Sequence, residues 1–150
     1  MRGWPPVAAE VDHPLRPDDA PPDTPAQSAR SSVRRLATLV LEEPVDGYAQ
    51  TRAALVMVRP HTGRRHQVRR HLKHLAHPIL GDATHGKGAH NRRWAERLAA
   101  ARLWLHAWRL TVRHPDDGRP LRLASPPDAP DNADWAALAA HPGWTSPWDL

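Results

Sequence analysis

The sequence predicts an α+β domain, a mixed or antiparallel sheet with helices packed on it. Three observations carry that expectation. Two runs of branched residues flank a turn at Pro44 and Asp46-Gly47, a helical period follows Pro60, and a second pair of strand-like runs flanks His114-Pro115-Asp116-Asp117-Gly118. At 150 residues the chain has the length for one core. With one Tyr, no Phe and 17 Pro, that core has to be built from Leu, Val, Ala and Trp.

Residues 1–32 hold Pro5, Pro6, Pro14, Pro17, Pro21, Pro22 and Pro25 with no sustained apolar period, and read as an extended or partly disordered segment without regular structure. Val33 to Leu41 is rich in branched residues and reads as a strand, and Arg52 to Pro60 as its antiparallel partner. From Gly63 to Leu75, Val68, Leu72 and Leu75 recur at helical spacing, with Thr62 placed to cap the start and Pro78 and Gly81 to end the element. On that basic helix positions 64, 65, 69 and 73 cannot all lie in the core and are expected mostly to face outward. Asn91 to Arg102 reads as a second helix with Trp94, Leu98 and Ala101 on one side, Leu103 to Arg113 and Pro120 to Ala124 as a hairpin, Asp134 to Ala140 as a short helix, and Pro142 to Leu150 as tail. The expected organisation is therefore a Pro-rich segment over 1–32, a folded part over 33–127, and a terminal helix and tail over 128–150.

The chain has no Cys, which removes disulfides, thiolate metal sites and thiol nucleophiles, and fits a reducing cytoplasm. No apolar run is long enough for a membrane span, and Met1 to Glu10 has no signal-peptide core, so the expectation is a soluble, unexported protein. Lys and Arg outnumber Asp and Glu by 21 to 16, for a net charge of +5. From Arg59 to Gly81 there are six cationic residues, five His and no acid, which points to a polyanion partner over a merely solvated face.

The most specific stretch is Pro60-His61-Thr62-Gly63-Arg64-Arg65-His66-Gln67-Val68-Arg69-Arg70-His71-Leu72, followed by His77-Pro78-Ile79-Leu80-Gly81-Asp82. It resembles the RluA-type pseudouridine synthases, whose pattern here is TGR, one residue, HQ, a hydrophobic residue, R, one residue, H, then HPI and GD. Asp82-Ala83-Thr84-His85-Gly86, Leu105-His106-Ala107 and His114-Pro115 match later signposts in order, so the resemblance covers roughly residues 33 to 127. His71-Leu72-Lys73-His74-Leu75 and Thr84-His85-Gly86 are most similar to the branch that modifies tRNA.

The resemblance implies the carboxy-terminal half of that family's fold and isomerisation of uridine to pseudouridine, with no cofactor and no metal. It also implies a catalytic aspartate in an HRLD motif followed by TSG. Neither string occurs in this sequence, and the family's active-site tyrosine is missing too, as if the chain began just after it. The chain alone is thus expected to be inactive. By the same resemblance Arg69 is the arginine that pairs with the catalytic aspartate, and a carboxylate beside a guanidinium stays ionised and oriented. Arg64, Arg65, Arg70 and Lys73 are expected to contact RNA phosphates, His66 and Gln67 to serve either RNA contact or local structure, and Asp82 to fix a loop. The partner is then RNA, with tRNA indicated by resemblance. A non-catalytic RNA-binding module and a poorly folded remnant stand as alternatives.

His71, His74 and His77 recur at three-residue spacing but without an interleaved acid or Cys, which disfavours a zinc site. Trp94, Trp104 and Trp108 are assigned to packing before base stacking, because a chain without Phe needs them in its core.

Overall fold

The computed structural model describes residues 1–127, 129 and 131–145, and divides into two compact units. The tail expected from Pro142 lies outside the described residues from 146 onward, as do positions 128 and 130. Unit one runs from Met1 to Trp104 and takes in the chain again from Gly143; unit two is Leu105–Pro142.

Unit one is built on an antiparallel sheet in the order β1-β2-β3, with β1 at Ala8–Asp12, β2 at Arg30–Leu41 and β3 at Thr51–Pro60. Branched side chains favour the pleated backbone of β2, and alternation decides its faces: Ser31, Val33, Ala37, Leu39 and Leu41 are buried. A register shift between Arg35 and Ala37 interrupts the pairing with β3, and the alternation resumes on the same face. The expected strand pair is present.

Strand β1 corrects the expectation for residues 1–32. Ala8 to Asp12 pairs with Arg34 to Arg30, so the Pro-rich segment supplies an edge strand. The five residues fall between prolines and have little period of their own; their ladder is supplied by β2, some twenty positions away in sequence. Met1 to Gly3 lies along β3 through bonds from the Met1 amino group to the Ala54 carbonyl (2.8 Å) and from the Gly3 N–H to the Arg52 carbonyl (2.8 Å).

Helix α1 spans Gln67–His74, shorter than its expected range, because Thr62 to Arg64 turn back to bond the Gln67 side chain. His66, in the left-handed region at φ 54°, stands at the cap position, and Thr62 caps nothing there. Helix α2 covers Gly88–Leu98 in place of Asn91 to Arg102. Ala99 at φ 48° ends it, its N–H turned back to the Glu96 carbonyl. Trp94 of α2 is 1% exposed, and Trp104, whose N–H bonds the Leu80 carbonyl, is also buried. Both take the packing role.

Unit two contains a two-stranded ribbon, β4 at Arg109–Arg113 and β5 at Pro120–Ala124, and helix α3 at Ala133–Ala139. The strand expected from Leu103 begins only at Arg109. Every residue of the ribbon is exposed, with Leu110 opposite Leu123 and Val112 opposite Leu121. No helix among the described residues is long and apolar enough to cross a membrane.

The buried α-amino group at Met1 makes a prediction about pH. Burial disfavours its charged form and lowers its pKa from 8.0 to about 5. Between those values the unfolded chain binds a proton that the folded chain does not, so stability rises as pH increases from 5 to 8 and levels off above. Urea unfolding at pH 5.5 and 8 is expected to differ by about 3 kcal/mol from this group. A flat profile across that interval would show the amine to be solvated.

Candidate nucleic-acid interface

The buried side of α1 is polar. Gln67, 4% exposed, accepts from the Thr62 hydroxyl (2.7 Å) and the Arg64 N–H (3.0 Å) through Oε1, and donates through Nε2 to the Arg30 carbonyl (2.9 Å) and Ser31 Oγ (3.0 Å). Both ends of the amide are saturated, so Gln67 acts here on local structure, joining the β3–α1 connection to β2. Ser31 Oγ also lies 3.0 Å from His71 Nδ1, and His71 Nε2 lies 3.1 Å from the His13 carbonyl. A carbonyl can only accept, so Nε2 carries the ring proton and Nδ1 accepts from Ser31. Burial, the largest influence, pushes the His71 pKa down and keeps the ring neutral.

Of positions 64, 65, 69 and 73, Arg69 is the one that turns inward. Its Nε and one terminal nitrogen each donate to an Asp82 carboxylate oxygen at 2.8 Å, a fork-to-fork pair. The Arg69 side chain is 17% exposed and that of Asp82 is fully buried. Asp82 accepts two further N–H groups, from Thr84 at 3.0 Å and His85 at 2.8 Å. Burial alone would raise the Asp82 carboxyl, but the hydrogen bonds from Arg69, His85 and Thr84 and the Arg69 charge outweigh it and hold the pKa at about 2. The loop-fixing role expected of Asp82 is the one its geometry describes.

The loop around Asp82 is fixed from α2 as well. Asn91 accepts from the Gly81 N–H and donates to the Asp82 carbonyl, both at 2.9 Å. Gly81 sits at φ +75°, where an added Cβ would lie 1.7 Å from the Arg102 carbonyl oxygen; at Gly86 it would lie 2.3 Å from the Asp82 carbonyl oxygen. Both positions demand glycine.

The remaining cations separate. Arg64, Arg65 and Lys73 are exposed, and Arg70 is half-buried. Arg64 Nε donates to the Ser28 carbonyl (3.0 Å), Arg65 donates to Asp19, and an Arg70 terminal nitrogen donates to the Arg16 carbonyl (2.6 Å) and lies 3.3 Å from Asp18. His66 Nδ1 is also 3.3 Å from Asp18. Asp18, Asp19, Ser31 and Asn91 join the site without having been expected from the sequence. Asp18 and Asp19 stand in a Pro-rich stretch far from the helix in sequence, and no local pattern signals their pairing. The three histidines considered for a metal diverge: His71 bonds Ser31 and His13, His74 stacks on the His13 ring at 3.8 Å between centroids, and His77 Nδ1 is 2.9 Å from the Arg2 carbonyl. Among the described residues no three His, Cys, Asp or Glu side chains group as a metal site.

A cation-rich helix seated on an antiparallel sheet, with an internal Arg–Asp fork beside it, belongs here to a defined class: the chain is a member of the RNA pseudouridylate synthase family, whose pattern matches residues 9–74. It is 40% identical over 151 residues to tRNA pseudouridine synthase C of Vibrio cholerae serotype O1, covering 96% of this chain and 60% of that one. The enzyme of the same description from Salmonella typhi is 40% identical over 156 residues, covering 96% of this chain and 56% of its own. The chain therefore spans under two thirds of the length of these relatives. Among solved structures, human RNA Pseudouridylate Synthase Domain Containing 1 superposes with a TM-score of 0.60 at 23% identity, over 89% of this chain and 55% of that one, a likeness of fold.

The Arg69–Asp82 fork yields a second prediction. Removing either partner strands a buried charge, so Arg69→Ala or Asp82→Leu is expected to cost about 3 kcal/mol or more, and the double variant much less than the sum. The pair's contribution is complete above the ordinary carboxyl pKa of 3.8 and is lost as pH falls towards about 2. Urea denaturation of the four proteins checks this; additive losses would mean that the two groups do not couple.

Proposed function

We propose that this chain is the RNA-gripping part of a pseudouridine synthase acting on tRNA. The observation that carries the reading is the match over 96% of the chain to synthases whose names state a tRNA substrate. The exposed and half-buried cations of α1 and its approach are the part of the geometry suited to an RNA backbone. Arg64, Arg65, Arg70 and Lys73 take phosphates, which is sequence-tolerant binding, and His66 borders the same face.

In the reaction of this class the bond from ribose C1′ to N1 of uracil breaks, the base rejoins through C5, and the C5 hydrogen leaves as a proton. No atom is added or lost besides that exchange. A target uridine has to leave its stack for this to happen. By the resemblance an aspartate from an HRLD segment starts the reaction and Arg69 orients it. No HRLD string is present in this sequence, so the chain alone is assigned binding and the aspartate-bearing segment the chemistry.

One observation favours a second reading, an RNA-binding module without catalysis. The guanidinium of Arg69 is already matched on two nitrogens by Asp82, which is sealed from solvent and has no free face for a substrate.

Tritium release from tRNA labelled at uridine C5 separates the two. The chain by itself is expected to release none, and a version extended with an aspartate-bearing HRLD segment to release tritium in proportion to pseudouridine formed. Release by the unextended chain would require another residue here to replace the aspartate. A silent extended protein that still binds tRNA would favour the second reading.

A further inference from the structure

Three of the four cations assigned to RNA phosphates, Arg64, Arg65 and Arg70, are already engaged in this fold. Residues 16–26 form a flap whose neck is closed by Leu15 and Gln27, bonded N–H to carbonyl in both directions at 2.8 and 2.9 Å, with the Leu15 side chain buried. At its turn stand two consecutive acids. Asp19 takes Arg65, while Asp18 lies 3.3 Å from both His66 Nδ1 and an Arg70 terminal nitrogen, and 3.9 Å from Arg65 Nε. Beside them is a cavity of about 170 Å³ with Arg16, Arg64, Arg65 and Arg70 in its wall. Four arginines lining one small cavity are a setting for an anion with several oxygens.

We propose that the flap is an internal competitor for RNA: Asp18 and Asp19 hold phosphate positions on Arg65, His66 and Arg70 in the free protein and yield them to two backbone phosphates on binding. This rests on the reading of α1 as an RNA-contacting helix. Three features support it. The acids carry the sign of a phosphate, and they engage Arg65, His66 and Arg70, which the motif resemblance independently points to as RNA contacts. The Asp19 side chain is 79% exposed, so it contributes almost nothing to packing and little to stability through an exposed ion pair. The flap is fastened at its neck by backbone bonds, whereas the acids at its turn meet the helix through charge, an attachment that an outside polyanion can exchange without disturbing the sheet. The exchange keeps the cations neutralised in both states. It lowers affinity for every RNA alike, and so favours ligands that make additional contacts elsewhere.

The experiment is a titration of an unmodified tRNA transcript at several salt concentrations, using the chain, Asp19→Asn, Asp18→Asn/Asp19→Asn and Asp23→Asn. Asp23 lies in the same flap and, among the described residues, makes no ion pair with α1. The double variant is expected to bind roughly tenfold tighter, with the slope of log affinity against log salt steeper by about 1 to 2, because it has no displaced carboxylates to take up cations from solution and offset the counterions released from the RNA. Asp19→Asn, whose exposed side chain makes misfolding an implausible cause, is expected to give about threefold on its own, and Asp23→Asn clearly less. Equal binding by all four proteins, or weaker binding by the double variant with its circular dichroism unchanged, would overturn the competitor and leave α1 as an RNA contact. If none of the four binds RNA, the competitor and the RNA-contacting reading fall together.

Discussion

A guanidinium drawn inward from a helix surface has to meet a carboxylate, and much of unit one is arranged around the one that meets Arg69. Asp82 is sealed from solvent, so its two oxygens need more than one donor group, and the backbone of Thr84 and His85 supplies the others. Winding the chain tightly enough to aim those N–H groups brings the Gly86 N–H onto the Asp82 carbonyl and leaves no room for a side chain at Gly86. Gly81 must pass against the Arg102 carbonyl just before, and Asn91 reaches from α2 to hold the start of the turn. One ion pair thus fixes the relation of α1, the loop that follows and α2.

The opposite flank of α1 is held in a different way. Gln67, Ser31 and His71 pass hydrogen bonds from the β3–α1 connection through β2 to the His13 backbone, and each member has its partners. An apolar helix face would have tolerated rotation or sliding; a saturated polar chain specifies one setting. With Gln67, His71 and Leu72 turned in and Arg69 committed to Asp82, Arg65, Arg70 and Lys73 are left to face whatever lies outside.

Structure is most legible in this sequence where the partners of a residue lie close by in the chain. Strands β2 and β3 and the ribbon β4–β5 were legible because each pair is joined by a short turn and carries its own branched or alternating residues. Strand β1 was not, since five residues between prolines have no period of their own and become a strand only beside Arg30 to Arg34. The motif located the cationic helix correctly and its outward cations in part. It could not show that Arg69 turns in, because helical spacing does not register a carboxylate thirteen positions later. The acids of the flap were hidden for the same reason at greater range, forty-six positions separating Asp19 from Arg65. Asp82 was legible as a loop-fixing acceptor, and Asn91, its support from α2, was not.

The ribbon of unit two has a kinetic character of its own. Its strands are separated only by the turn after Arg113, and hairpins of this kind close in about 1–10 μs, whereas the ribosome adds roughly 5–20 residues each second. Both strands will therefore have met long before α3 is complete. What forms early also opens easily, since a two-stranded ribbon wet on every residue has little burial to hold it. Its amide protons should exchange with solvent far sooner than those of β2, where Ala37, Leu39 and Leu41 lie in the core.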